Sequence, residues 1–205
     1  MKIQVAIDRV TIEQAIEIIK VVKDYADIIE IGTSLIKDYG LESVRNIRNA
    51  FPDITILADI KTIDEAEYEF RAGYKAGADI LTVMGAANID SIEICRNVAV
   101  KYQKDYMIDL LEVSDEKIKE LKKFKDAIFC VHLPADKEGQ GLKELVQKTS
   151  KNLIDCPRLA VAGGVSLKTL SIIKESKFEI AIVGGAITKA ENMKEAAYIF
   201  SREVR

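Results

Sequence analysis

ITILADIKTIDEAEYEFRAGYKAGADILTVMG, residues 54–85, contains one complete unit of the fold. Residues 54–60 are rich in Ile, Leu and Thr and predict a strand; 64–76 follow an amphipathic helical pattern; 79–85 return to a strand pattern. No Asn-Gly type of hairpin signal joins the two strands, so they are expected to run parallel through a helical crossover. The same alternation extends to both ends of the chain. Further strands are predicted at 3–8, 26–32, 106–111, 127–132, 158–162 and 180–184. Between them, 11–23 places Ile12, Ala15, Ile16, Ile19 and Val22 on one helical side, and 88–102 and 192–204 follow the same pattern. Ser114 and Ser166 open two further helices, 114–123 and 166–174, as N-caps.

About eight such units predict a single (β/α)8 TIM barrel over 1–205, compact beside the usual length of about 250 residues. An open doubly wound sheet is the alternative. Against it, the first strand-to-helix turn, Asp8-Arg9-Val10-Thr11, lacks the GxGxxG that brings backbone close to a pyrophosphate.

Composition narrows the function. With 48% hydrophobic residues and no Pro/Gly/Ser-rich linker, the chain is read as one domain. A net charge of -3 offers no basic patch for nucleic acid. The longest apolar runs, such as 180–187, are too short to span a bilayer, and Met1 leads straight into a strand pattern, so no membrane association and a cytoplasmic location are expected. Cys95, Cys130 and Cys156 are odd in number and lie in apolar context, which favours reduced packing thiols.

In a barrel the reactive groups gather at the C-terminal ends of the strands. Asp8 ends the first predicted strand, Glu30 with Gly32 and Thr33 the second, Asp59 and Lys61 the third, Asp109 the fifth, and His132, the only histidine, the sixth. Asp59 and Lys61, two apart, leave the same face, and Asp64 follows in the turn. Unpaired burial of such charges would cost about several kcal/mol each, which implies a solvated or metal-containing pocket. A structural ion pair at a strand end is the plainer alternative. Glu30 and Asp59 offer oxygen ligands without thiolates or clustered imidazoles nearby, the preference of a hard cation such as Mg2+. Lys61, between Asp59 and Asp64, should stay protonated and stabilise charge growing on a substrate oxygen. His132 is the proton-transfer candidate, unless it is a satisfied structural residue. The last two strands end in Gly163-Gly164 and Gly184-Gly185. Either the pairs cradle a phosphate with their backbone N–H groups, or they only make tight turns.

The DxKxxD of Asp59, Lys61 and Asp64, with 4–8, 30–33, 57–59, 76–79, 130–132, 161–164 and 182–187 around it, resembles the orotidine 5'-monophosphate decarboxylase suprafamily. Within it the chain is most similar to the 3-hexulose-6-phosphate synthase branch. The related 3-keto-L-gulonate-6-phosphate decarboxylases typically carry Glu where Asp109 stands, Arg shortly after the sixth-strand His, where Leu133-Pro134-Ala135 stands, Thr at Ala162 and Arg at Gly185. The chain departs from the synthase pattern after His132, over 133–141, and after Asp64, where Glu65-Ala66-Glu67 replaces a common Gly or Ala-Gly.

The resemblance implies a dimeric barrel acting on a sugar phosphate, by Mg2+-dependent, reversible aldol addition of formaldehyde to D-ribulose 5-phosphate. It implies that Glu30 and Asp59 hold the metal, Lys61 stabilises an enediolate and His132 moves the proton. Asp8 would position substrate hydroxyls, Asp109 would orient the carbon-one side or its water, the Gly pairs would hold phosphate, and Asp64 would complete the site of the partner subunit. The decarboxylase reaction is the competing activity. A phosphometabolite sensor that kept the barrel and lost catalysis is the non-enzymatic alternative.

Overall fold

Parallel pairing runs unbroken around the molecule and closes on itself. The computed structural model describes residues 1–134, 141, 142, 144–146, 153 and 155–205. Its strands are β1 (Lys2–Ile7), β2 (Ile28–Ile31), β3 (Ile56–Thr62), β4 (Ile80–Met84), β5 (Asp105–Asp109), β6 (Ile128–His132), β7 (Leu159–Ala162) and β8 (Ile180–Val183). They form a closed barrel in chain order, with β1 returning to pair with β8 through Lys2↔Ile180 and Val5↔Val183. The barrel expectation holds and the open sheet does not.

The described helices are α1 (Ile12–Val22), α2 (Thr33–Tyr39), α3 (Glu42–Ala50), α4 (Ala66–Ala76), α5 (Ile89–Tyr102), α6 (Asp115–Leu121), α7 (Leu167–Glu175), α8 (Gly185–Thr188) and α9 (Met193–Val204). Helix α1 shows why they start where they do. Thr11 accepts the Gln14 N–H at 3.2 Å while the Gln14 side chain accepts the Thr11 N–H at 3.0 Å, a reciprocal cap for two orphan donors. The helix then buries Ala15, Ile18, Ile19 and Val22. A fully buried aliphatic side chain of this size contributes about 1.5–3 kcal/mol. Ile18 replaces the predicted Ile12 and Ile16, which are only half-buried, because the helix is rolled towards its neighbours.

Strand alternation divides the core in two. Ile3, Val5 and Ile7 point outward into the layer beneath the helices, while Ala6 packs inward. The inner column is aliphatic, built of Ile28, Leu57, Ile80, Met107, Ile128 and their neighbours, with Cys130 among them. All three cysteines are buried free thiols. Above that column, towards the C-terminal strand ends, the interior turns polar. Among the described residues no helix is long and apolar enough to cross a membrane.

Candidate active site

The polar interior opens into a cavity of about 930 Å³, lined by Asp8, Glu30, Asp59, Lys61 and His132 and by all four glycines of the two pairs. Asp109 lies just beneath, almost fully buried, and bonds to two of the lining residues. Asp64 is not brought into the cavity of its own chain; it is exposed on the turn beyond β3.

Lys61 is the centre of the arrangement. Its ammonium lies 2.7 Å from Asp109 Oδ2 and 3.0 Å from Asp59 Oδ2. Burial alone would lower its pKa, but the two acids outweigh that and raise it. Simple alternation is not what brings Asp59 and Lys61 together. Pairing of β3 with β4 is irregular between Ala58 and Thr62, and Lys61 has φ 48°, a left-handed conformation uncommon for a side chain of this kind. Thr82 on β4 holds the distortion by accepting the Lys61 N–H at 2.9 Å and donating to Asp59 Oδ1 at 2.8 Å. Thr33 donates to the other Asp59 oxygen at 2.5 Å. With both oxygens anchored, the Asp59 carboxylate is fixed in direction.

Asp109 joins Lys61 to the histidine, with its Oδ2 lying 2.8 Å from His132 Nδ1. Burial pushes its pKa up, yet the hydrogen bond and charge of His132 together with Lys61 pull it down to about 2. An ionised carboxylate can only accept, so Nδ1 carries a proton, and in the neutral imidazole the lone pair is then on Nε2. This orientation of the imidazole is a role that the strand-end position of Asp109 did not disclose.

Glu30 has no cation bonded to it among the described residues. Its Oε2 accepts from Gln4 Nε2 at 2.6 Å, and Oε1 accepts no hydrogen bond from the described residues. Burial first, and then the negative charge of Asp59, push its pKa up to about 8. Two buried carboxylates on neighbouring strands, one of them short of positive charge, fit a cation. Among the described residues no group of three or more His, Cys, Asp or Glu could hold a metal, so a protein-only cage does not fit. A cation whose remaining ligands are water and substrate does, and Mg2+ binds in this way.

The walls complete the shape. Asp8 accepts the Ser34 N–H at 2.9 Å, and any Cβ at Gly32 would collide with its carboxyl, so glycine is needed for Asp8 to lie across β2. Gly163 and Gly164 have φ 85° and 70°, which favours glycine at both. Gly184 and Gly185 are different. Neither has positive φ, and a Cβ there would meet nothing nearer than 3.8 Å and 3.5 Å respectively, so their smallness keeps space open. None of the four backbone N–H groups donates to another described residue. Of the loop after His132, where the sequence departs from its family pattern, 135–140 lie outside the described residues.

Gln4 and Thr82 escaped the sequence reading. Both occupy inward positions on strands that otherwise alternate normally, and an amide or hydroxyl at such a position was the available signal.

Comparison with known proteins gives a family and the same fold. Residues 1–199 match the family described as Orotidine 5'-phosphate decarboxylase / HUMPS family. The chain is 37% identical over 200 residues to a 3-hexulose-6-phosphate synthase of Bacillus subtilis (strain 168), covering 96% of this chain and 95% of that one. A crystal structure of a 3-hexulose-6-phosphate synthase superposes with a TM-score of 0.92 at 34% identity, covering 100% of both chains. A crystal structure of KGPDC from Streptococcus mutans superposes with a TM-score of 0.91 at 26% identity, covering 99% of this chain and 96% of the other.

Proposed function

We propose a reaction from a fixed premise, that this chain belongs to the Orotidine 5'-phosphate decarboxylase / HUMPS family: it is an aldehyde-lyase that reversibly adds formaldehyde to D-ribulose 5-phosphate, giving D-arabino-3-hexulose 6-phosphate. The observation that carries this reading is the continuous chain Lys61–Asp109–His132 at the cavity, beside the carboxylate pair Glu30 and Asp59. It supplies a proton acceptor and a positive charge within one set of contacts, which enolisation next to a ketone requires. The naming of relatives as 3-hexulose-6-phosphate synthases supports the same choice.

The steps follow from the side chains. His132 Nε2 removes a proton from carbon one, and the charge left on the substrate oxygens is met by the Lys61 ammonium, whose raised pKa keeps it protonated. Carbon one then attacks the formaldehyde carbon, and His132 returns its proton to the new alkoxide oxygen. Asp109 holds the imidazole through Nδ1 during both transfers. Asp8 faces the cavity and would position substrate hydroxyls. The N–H groups of the two Gly pairs, unbonded among the described residues, would receive the phosphate. Mg2+ held by Glu30 and Asp59 would supply Lewis-acid polarisation of the carbonyl and adjacent hydroxyl oxygens.

A homodimer completes this reading. Asp64 is exposed between Ile63, 54% exposed, and a turn leading to Tyr68, 72% exposed; an apolar flank of this kind is suited to burial by a second copy. Asp64 would then enter the partner's cavity.

The test is an assay of purified protein with Mg2+, ribulose 5-phosphate and formaldehyde, run beside one with 3-keto-L-gulonate 6-phosphate. Consumption of formaldehyde that stops on chelation is the expected result. Carbon dioxide release from the gulonate alone would assign the decarboxylase reaction, and sugar-phosphate binding without turnover would assign a sensor.

A further inference from the structure

Gln4 occupies a place where packing alone calls for an aliphatic residue. It is fully buried, and its backbone pairs with Ile28 of β2 and Ile182 of β8, both members of the aliphatic inner column. Only half of its amide is used. Nε2 donates to Glu30 Oε2 at 2.6 Å, while Oε1 is the one buried side-chain N or O atom among the described residues with no hydrogen-bond partner. A Met or Leu here would match the column and remove the unpaired Oε1, but it would leave Glu30 Oε2 without its donor. Either choice leaves one buried acceptor unpaired, so stability alone does not explain the amide. Its effect on Glu30 does.

Glu30 has no other hydrogen-bond partner among the described residues, unlike Asp59, whose two oxygens are anchored by Thr33 and Thr82. The Gln4 N–H thus fixes the rotation of the Glu30 carboxylate, engaging Oε2 and leaving Oε1 unbonded in a residue that lines the cavity beside Asp59. We infer that Gln4 is a positioning residue for the cation site, presetting Glu30 as an oxygen ligand at the expense of its own unpaired carbonyl. This rests on the reading of Glu30 and Asp59 as cation ligands given above.

The test uses Mn2+ as the probe, with free ion counted by electron paramagnetic resonance, on wild type, Gln4→Met, Gln4→Leu and Glu30→Gln. Wild type should bind Mn2+ and Glu30→Gln should lose most of that binding. Gln4→Met and Gln4→Leu should each weaken it by roughly 10- to 100-fold, the usual effect of losing an outer partner of a ligand. The metal-free thermal midpoint of both Gln4 variants should change little, because each removes one unpaired buried acceptor, Gln4 Oε1, while leaving another, Glu30 Oε2, without its donor. A structural role would give the reverse, a lower midpoint with unchanged Mn2+ affinity, and would overturn the inference while leaving the cation reading intact. Diverging effects of Met and Leu would show that shape rather than the N–H matters, and would overturn it too. Equal Mn2+ binding by wild type and Glu30→Gln would sink the cation reading and this inference together.

Discussion

At the N-terminal strand ends, Arg48 of α3 donates to the carbonyls of Gly77, Pro52 and Ile54 and pairs with Asp79, which also receives Lys104 and the Ile56 N–H. Arg158 clasps Asp105 with two hydrogen bonds, at 2.6 and 2.9 Å. Despite partial burial, Lys104, the Ile56 N–H and Arg48 lower the pKa of Asp79. At the C-terminal ends the charges are less completely matched, with Glu30 lacking a cation among the described residues and Lys61 shared between two acids. Backbone strain occurs at both rims. Of the non-glycine residues with positive φ, Arg9, Lys61, Glu65 and Glu112 lie at or beyond the ends of β1, β3 and β5, on the cavity side, while Gln103 and Lys177 precede β5 and β8 at the other rim. One rim satisfies its groups and fixes the fold; the other leaves charge less fully matched at the cavity.

This contrast can be broken most severely at Lys61. Lys61→Met should reduce kcat at least about 10³-fold through loss of charge stabilisation. It should also lower the thermal midpoint, since Asp59 and Asp109 would stay buried without their shared cation. A near-normal rate would remove Lys61 from the chemistry. His132→Asn should be cleaner. Hydrogen isotope exchange at carbon one of ribulose 5-phosphate should slow by about 10² to 10⁴, with the midpoint little changed; unaltered exchange would exclude His132 as the base.

At the other rim, Arg48→Ala should cost about 2 kcal/mol in urea unfolding, from lost bonds to partly buried carbonyls and to Asp79, and leave kcat/KM within about twofold. A comparable loss of activity would show that the two rims are not separate in function. The last effect, of similar size, concerns acid. Asp109 has its pKa lowered from 3.8 to about 2 in the folded protein, so its contribution is full above pH 4 and is lost as pH falls through 2. The stability gap between wild type and Asp109→Asn should therefore narrow by about 2 kcal/mol between pH 6 and pH 2. A constant gap would mean that Asp109 is not held ionised by its neighbours.

The barrel was legible because its signal is repeated. Each strand is a short apolar run placed within a few residues of its true limits, and the helix caps at Thr11, Ser114 and Ser166 are local chemistry. The pair α2 and α3 was not singled out, since Gly40, at φ 59°, divides the segment into two pieces with short patterns. The residues at the cavity were readable as strand ends, but their contacts were not. Those of Thr82 to Asp59, Asp109 to His132 and Gln4 to Glu30 depend on register between strands, which one sequence pattern does not specify. The distortion at Lys61 was likewise invisible, because Lys61 follows directly on the predicted strand 54–60 with no glycine or proline to mark a break.

An ammonium carries three N–H donors, and among the described residues Lys61 bonds to only two acids, Asp59 and Asp109. A substrate oxygen can therefore be taken up by the third hydrogen with neither ion pair dissolved. On the proposed function, arrival and departure of the sugar phosphate would then require no swing of the lysine, and the electrostatic frame would stand still through each exchange.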